Sequence, residues 1–403
     1  MDKKFQMYRG LPKSVYVIFI IQIVNRFGDF VLPFMTLLLT KKLGLPLGTV
    51  GLIAMIGSVL SIPGSFIAGK AADHIGRKKT YIISQTTAAL ALIPCAFITR
   101  PYVIVVFLLL SNLFNGGVRP CISAIIADVL PPEKRQAGYS LQYLGINIGV
   151  AVGPMVAGFL FNNFLPMLFL GDAITSFIAV ALFVKYIGES KNTKVEEKHA
   201  AEEKEEKGNV FTILLRRPKI LIFLIIYTVF CFVYTQTSFS LPLMLDKVFT
   251  GKGAERFGFL MSVNAITVVV LTMFVTTLTQ RLKALPSIIM GGILYTVGLG
   301  MISIIRSFPL FIVSTVLWTI GEILTATSFG VYLANNSPSN YRARFSAIGS
   351  MSWAIGAALG TSLMGKYIAG FGIEAVWPLT FILGGGAVIA MLVLYLGFDR
   401  EKN

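Results

Sequence analysis

The sequence predicts an all-α integral membrane protein of twelve transmembrane helices, arranged as two six-helix pseudo-repeats. Three observations carry this: a composition poor in charge, twelve apolar stretches of bilayer length, and a second half that repeats landmarks of the first. Of 403 residues, 55% are hydrophobic and 13% charged, and the mean hydropathy is +0.77. A soluble domain carries about 25% charged residues, so half the usual charge is missing, and what remains clusters between apolar stretches. That excludes a soluble enzyme, a disordered chain and a nucleic-acid-binding module. The formal net charge of +16 has a membrane explanation, because basic residues collect in cytoplasmic loops.

A membrane helix needs about 20 mostly apolar residues. The spans run approximately 15–39, 47–69, 80–98, 102–127, 137–161 and 165–187, then 220–245, 257–280, 285–305, 308–334, 343–368 and 374–397. Backbone exposed to lipid must be hydrogen-bonded internally, which makes these segments helices; barrel strands would show weaker alternating segments of about ten residues. The first span is read as a membrane helix and not a cleaved leader. It is too long, carries Arg26 and Asp29, and lacks a small-residue cleavage site.

Placing the N-terminus inside assigns 25 of the 35 Lys and Arg residues to cytoplasmic segments and 8 to outer loops. Both termini are therefore expected in the cytoplasm of a cell-membrane, multi-pass protein. A polar stretch, 189–218, contains EEKHAAEEKEEK and separates the halves. Its alternating charges read as a solvated linker between an N-terminal six-helix bundle, 1–188, and a C-terminal one, 219–403. Cys95, Cys121 and Cys231 all fall in apolar stretches, and their odd number offers neither a disulfide framework nor a metal site. The two histidines, His74 and His199, sit in polar loops.

The halves share a register at an offset of 207: Pro131 maps to Pro338, Arg135 to Arg342, Gly149 to Gly356, Gly153 to Gly360 and Gly158 to Gly365. Duplicated halves of parallel orientation fit a protein that rocks around a midplane site.

Between spans 2 and 3 the chain reads GKAADHIGRKK. Gly69 would let span 2 approach a neighbour, Asp73 puts a charge at the membrane edge, Gly76 permits a tight turn, and Arg77, Lys78 and Lys79 anchor the loop inside. This resembles the loop signature of the major facilitator superfamily, with Gly69, Asp73, Gly76 and Arg77 in the family's positions. The resemblance covers the whole chain and implies that family's fold. It also implies a conformational latch, in which Asp73 meets the start of span 11 and Arg77 meets an acid at the end of span 4, here Asp128. The equivalent loop of the second half, TQRLKALP, lacks the aspartate and the Gly-Arg pair, so the latch is asymmetric.

Span 5 carries GINIGVAVGPMVAG. Gly145, Gly149 and Gly153, four apart, share a face that admits another helix; Pro154 and Gly158 follow. This is similar to the glycine-proline motif of the family's antiporters, except that Phe159 stands where a second closing glycine would be. The copy in span 11, GAALGTSLMG, lacks the proline. The multidrug, drug–proton antiporter branch is the best match.

Charged residues inside spans are expensive and usually functional. Asp29 lies mid-span 1, with Arg26 three residues earlier on nearly the same face. Arg119 lies in span 4, Glu322 mid-span 10, and Asp172 about seven residues into span 6. In the family fold, spans 1, 4, 7 and 10 line the central cavity, which includes Asp29, Arg119 and Glu322 and leaves out Asp172. A desolvated carboxyl can carry a proton, and no span contains histidine; Asp29 and Glu322 are the proton carriers expected. Asp29 has the alternative of a structural pair with Arg26, and Asp172 that of a helix-packing hydrogen bond. Arg119 would hold an anionic group or act as counter-charge, though Val118-Arg119-Pro120-Cys121 departs from the family's pattern. The rest of the cavity lining is expected from Asn25, Gln142, Tyr143, Asn147, Tyr227, Tyr234, Gln236 and Asn264. Walls that are apolar and aromatic with few polar groups suit a bulky lipophilic substrate.

No Gly-rich nucleotide loop, zinc site or hydrolase motif is present, so no cofactor and no enzymatic activity are expected. The resemblance implies a secondary active transporter, a proton-coupled exporter of lipophilic or cationic compounds. Uptake or exchange of a small metabolite, peptide or lipid is the alternative within transport, and a non-transporting receptor or scaffold the alternative outside it. The expected partners are membrane lipids, protons and a small-molecule substrate, with no nucleic acid, and the expected state is a monomer.

Overall fold

The computed structural model describes residues 10–188, 214–279, 282–337 and 342–398. Most of the expected linker, and His199 with it, lies outside them. Among the described residues every regular element is helical. In chain order these are α1 (Lys13–Phe27), α2 (Val31–Leu37, continued by a π-helical turn Leu38–Lys42), α3 (Leu47–Ile75), α4 (Arg77–Leu92), α5 (Pro101–Asn115), α6 (Val118–Val129), α7 (Pro132–Asn163) and α8 (Leu165–Tyr186). There follow α9 (Pro218–Phe239), α10 (Leu241–Val248), α11 (Gly253–Thr279), α12 (Ala284–Gly300), α13 (Phe308–Asn336), α14 (Arg342–Phe371) and α15 (Val376–Phe398). Proline opens α5, α7, α8 and α9 within the first two positions, where its missing N–H costs nothing.

Ten segments among the described residues are long and apolar enough to cross a bilayer. The two expected spans not among them are 80–98 and 343–368. Helices stand in both places, but α4 has only 16 residues and carries Ser84, Gln85, Thr86 and Thr87, and α14 is diluted by serine and glycine. Both are less lipophilic than their neighbours because they have polar or small-residue contacts to make.

Among the described residues three spans are interrupted. Span 1 breaks at Gly28–Phe30, span 4 at Gly116–Gly117 and span 7 at Ser240. Tight packing accompanies the first two: a side chain at Gly28 would overlap Thr175 of α8, and one at Gly116 would strike the Ser61 carbonyl of α3.

The described residues form two compact units, one drawn from Met1–Lys194 with Leu245–Val269, the other from Val195–Met244 with Val270–Asn403. In the first, Val15, Ile18 and Ile21 of α1 meet Tyr81 of α4, Ile122, Ile125 and Ile126 of α6, and Phe183 of α8 in one buried cluster. Leu245–Val269 joins this unit through close contacts. Phe257 meets Phe34 edge to face with centroids 5.3 Å apart, and Lys41 Nζ lies 2.7 Å from Asp246. In the second unit Phe223 and Phe230 of α9, Ile288 of α12, Phe345 of α14 and Met391 of α15 form the core. The outer faces are apolar instead: Phe66, Ile67, Val270, Ile382 and Val393 are all well exposed, as lipid contact requires.

The sequence repeat returns as a packing repeat. A Cβ at Gly149 of α7 would lie 2.7 Å from both the Arg26 Cβ and the Ile23 carbonyl oxygen of α1. A Cβ at Gly356 of α14 would lie 2.7 Å from the Thr228 carbonyl oxygen of α9. Backbones touch here, and a side chain has nowhere to go. Gly149→Leu is therefore expected to destabilise the protein by at least about 1–3 kcal/mol, the usual cost of overpacking. A lowered unfolding midpoint in detergent would show it, and Gly69→Leu, in open space, is expected to leave the midpoint almost unmoved.

Candidate functional site

The loop after α3 turns at Gly76, whose φ of +96° excludes most other residues. This turn starts α4 at once and aims Arg77 back at α6. Arg77 Nε lies 2.9 Å from Asp128 Oδ2, with the two side chains 15% and 14% exposed, and Lys78 Nζ donates to the Val184 carbonyl of α8 at 3.0 Å. The acid expected from the end of span 4 is thus the one that meets Arg77. Asp73 is exposed, and the polar side chains at the start of span 11, where its partner is expected, lie outside the described ones. Gly69 is corrected. A Cβ there meets nothing within 4 Å, and Gly64, on the same helix, makes the close approach instead, against the Leu113 backbone of α5.

The break in span 1 is the centre of a polar seam in the first unit. Arg26 NH1 holds Asp29 Oδ2 at 2.9 Å. The Val31 amide donates to Asp172 Oδ2 at 3.3 Å, and the Phe30 amide donates to the Gly28 carbonyl at 2.7 Å. In an unbroken helix those amides would serve the Phe27 and Arg26 carbonyls. Asp172 therefore makes the packing hydrogen bond expected of it, and it also stands near Asp29. One turn along α8, Ser176 Oγ accepts from Gln85 Nε2 of α4 at 2.9 Å. Tyr81, one turn before Gln85, stacks on Phe183 at 3.9 Å within electrostatic reach of Arg26. Gln85, Tyr81 and Ser176 are functional candidates that sequence reasoning misses; the run SQTT inside an apolar span is a signal for Gln85, whereas Tyr81 and Ser176 carry none.

The second unit holds an acid among aromatic rings. Glu322 of α13 is partly buried and lies within electrostatic reach of Tyr227 and Tyr295. Tyr234 meets Tyr295 and Trp318 edge to face, at 5.6 and 6.0 Å, and Trp353 at 5.4 Å. Tyr227 stacks on Phe329 at 4.2 Å. Trp318 is almost fully buried, whereas Trp353 is 48% exposed, so the cluster has an open side. Of these residues the sequence singles out only Glu322, Tyr227 and Tyr234; the others look like ordinary membrane aromatics.

Other expected lining residues fare differently. Gln236 is corrected: it is fully buried, its Nε2 donates to the Phe232 and Gly360 carbonyls, and its Oε1 accepts from Ser240. It ties α9 to α14 and faces no open space. Gln142 is buried as well, Asn147 is spent on the Tyr143 carbonyl of its own helix, and Tyr143 is exposed. Asn25 and Asn264 are partly buried. Arg119 is exposed on α6 and joins neither cluster. Along α7, Gly145, Gly149 and Gly153 contact α1, whereas Gly158 contacts Ala254 of α11, and Pro154 sits in an unbroken helix. Among the described residues no three His, Cys, Asp or Glu side chains come together as a metal site would need.

The Gly76 turn with its Arg77–Asp128 ion pair and the paired helix contacts in the two halves fit the fold expected from the sequence. The family model of the Major Facilitator Superfamily matches residues 18–361 and 256–403. The chain belongs to this superfamily. Among its relatives is a Na(+), Li(+), K(+)/H(+) antiporter of Planococcus maritimus, 24% identical, the match covering 91% of each chain. Another is the 4-hydroxybenzoate transporter PcaK of Acinetobacter baylyi, 24% identical over 86% of this chain and 82% of that one. The fold matches the crystal structure of the nucleoside transporter NupG with a TM-score of 0.76 at 15% identity, covering 96% of this chain and 100% of that one. The protein is accordingly a multi-pass membrane transporter of the superfamily's type.

The latch role proposed for the Arg77–Asp128 pair has a sharp test. Arg77→Asp or Asp128→Arg alone leaves two like charges facing each other and is expected to cut transport severely. The exchanged double variant restores the attraction and is expected to recover a substantial part of it, measured as uptake into vesicles against protein amount.

Proposed function

We propose that the chain is a proton-coupled antiporter that exports lipophilic or cationic compounds by alternating access between two six-helix bundles, 1–188 and 219–403. In this reading it has twelve spans, acts as a monomer, and keeps both termini and the 189–218 linker in the cytoplasm. The observation that carries it is Glu322 among Tyr227, Tyr295 and the Tyr234–Trp318–Trp353 cluster. Aromatic faces attract cations through their quadrupoles, and a carboxylate in such a wall supplies the opposite charge where water is scarce. A ligand that is apolar, flat and positive satisfies both. Asp29 and Glu322 are the proton carriers: each changes charge where substrate and proton must bias the two facing states differently. The antiporter relative supports exchange against protons.

A second reading is proton-coupled uptake of aromatic acids, favoured by the 4-hydroxybenzoate transporter among the relatives and by the exposed Arg119, which would meet a carboxylate. Proteoliposomes separate the two. A pH gradient is expected to drive accumulation of a cationic dye, and Glu322→Gln to weaken it by at least about tenfold, equivalent to 1.4 kcal/mol. Accumulation of 4-hydroxybenzoate in place of the dye, sensitive to Arg119→Ala and not to Glu322→Gln, would establish the second reading. Orientation has its own check: a cysteine introduced by His199→Cys is expected to be labelled only from the cytoplasmic side.

A further inference from the structure

We propose that the seam between α1, α4 and α8 binds one alkali-metal cation, held by the carboxylates of Asp29 and Asp172 and by the side-chain oxygen of Gln85. The site lies inside the first unit, apart from the aromatic wall around Glu322.

Charge is the first argument. With both carboxylates ionised, Asp29, Asp172 and Arg26 sum to one negative charge. The neighbouring elements do not cancel it. Facing the seam, α4 offers Tyr81 and α6 offers Cys121, neither of them cationic, and Arg77 is already spent on Asp128. The seam is part-buried, with the Arg26 and Asp29 side chains 31% and 25% exposed, and an unbalanced charge that is partly desolvated still costs free energy, so the seam favours one further positive charge.

The uncharged oxygens give the second, independent argument. Gln85 is 1% exposed and Tyr81 is fully buried, yet among the described residues Gln85 Oε1 and the Tyr81 hydroxyl have no hydrogen-bond partner, nor has Arg26 Nε. Buried polar atoms are rarely left so. Gln85 Nε2 is committed to Ser176, one turn from Asp172 on the same face of α8, which sets the amide with its unpartnered oxygen beside the seam. A proton on one carboxyl would also settle the charge, and its O–H is itself a donor for that oxygen; the Na+ response below separates the two occupants. A hard cation takes carboxylate and amide oxygens together and settles both. Two carboxylates partly offset by one arginine favour a single charge over a divalent ion.

The test is binding without substrate. Purified wild-type protein in detergent is expected to gain thermal stability saturably with NaCl relative to choline chloride at equal ionic strength, since a ligand of the folded state raises the unfolding midpoint. Asp172→Asn and Gln85→Leu are each expected to weaken the apparent Na+ affinity by about tenfold or more, by analogy with the loss of a supporting group at a metal site. Should Asp172→Asn fail to fold, Gln85→Leu, which removes no charge, decides alone. An equal response to NaCl and choline chloride, or an unchanged Na+ affinity in Gln85→Leu, would overturn the site. Because no substrate is present, these outcomes are independent of the Glu322→Gln result.

Discussion

A backbone amide inside a bilayer has no water to bond with, so every interruption of a spanning helix must be covered by another part of the protein. The break at Gly28–Phe30 is the clearest case. The cover is Asp172, reaching from α8 to the Val31 amide, and it works only because Gly28 lets α8 come against the chain at Thr175. On the other side α7 presses its glycines onto the turn before the break. Much of the first unit follows from this one interruption. It sets where Asp29 stands, brings a second carboxylate near it, and leaves Arg26 paired with Asp29 within electrostatic reach of Asp172 and Tyr81.

The part-buried charges show the same economy. Arg26 has Asp29, and Arg77 has Asp128; each pair joins residues that would be costly alone in hydrocarbon. Glu322 is different in kind, an acid set among tyrosine and tryptophan rings. A protein that only needed to be stable would gain little from such a residue, because replacing a buried ion by an apolar side chain is often neutral or stabilising. A transporter needs a group whose energy depends on what is bound beside it. The two units therefore carry chemically distinct centres, one a hydrogen-bonded acid seam and the other an acidic aromatic wall.

The paired contacts Gly149 on α1 and Gly356 on α9 give the duplicated sequence its physical meaning. Backbone-to-backbone packing tolerates no side chain, so these glycines stay in register while most surrounding residues diverge. Proline differs: Pro154 has no counterpart in α14, and α7 accommodates it without a break. One copy of the contact is thus decorated and the other is not.

Sequence alone determined the membrane class, most of the spans and the Gly76 turn, because each rests on local chemistry, bilayer length or a positive φ; the Arg77–Asp128 pair is expected only through the resemblance of the Arg77 loop to the superfamily signature. Sequence also marked Asp29, Glu322 and Asp172, since a charge among apolar residues is conspicuous. Tertiary structure alone decided the rest. Gln236 reads as a cavity residue in one dimension, yet its amide is consumed by α9 and α14; Gly69 reads as a contact glycine, yet open space surrounds it. Gln85, Tyr81 and Trp318 matter only through neighbours far along the chain. The orientation of a polar side chain around a helix that is apolar on most faces has no periodic signature, so only packing against other helices could settle it.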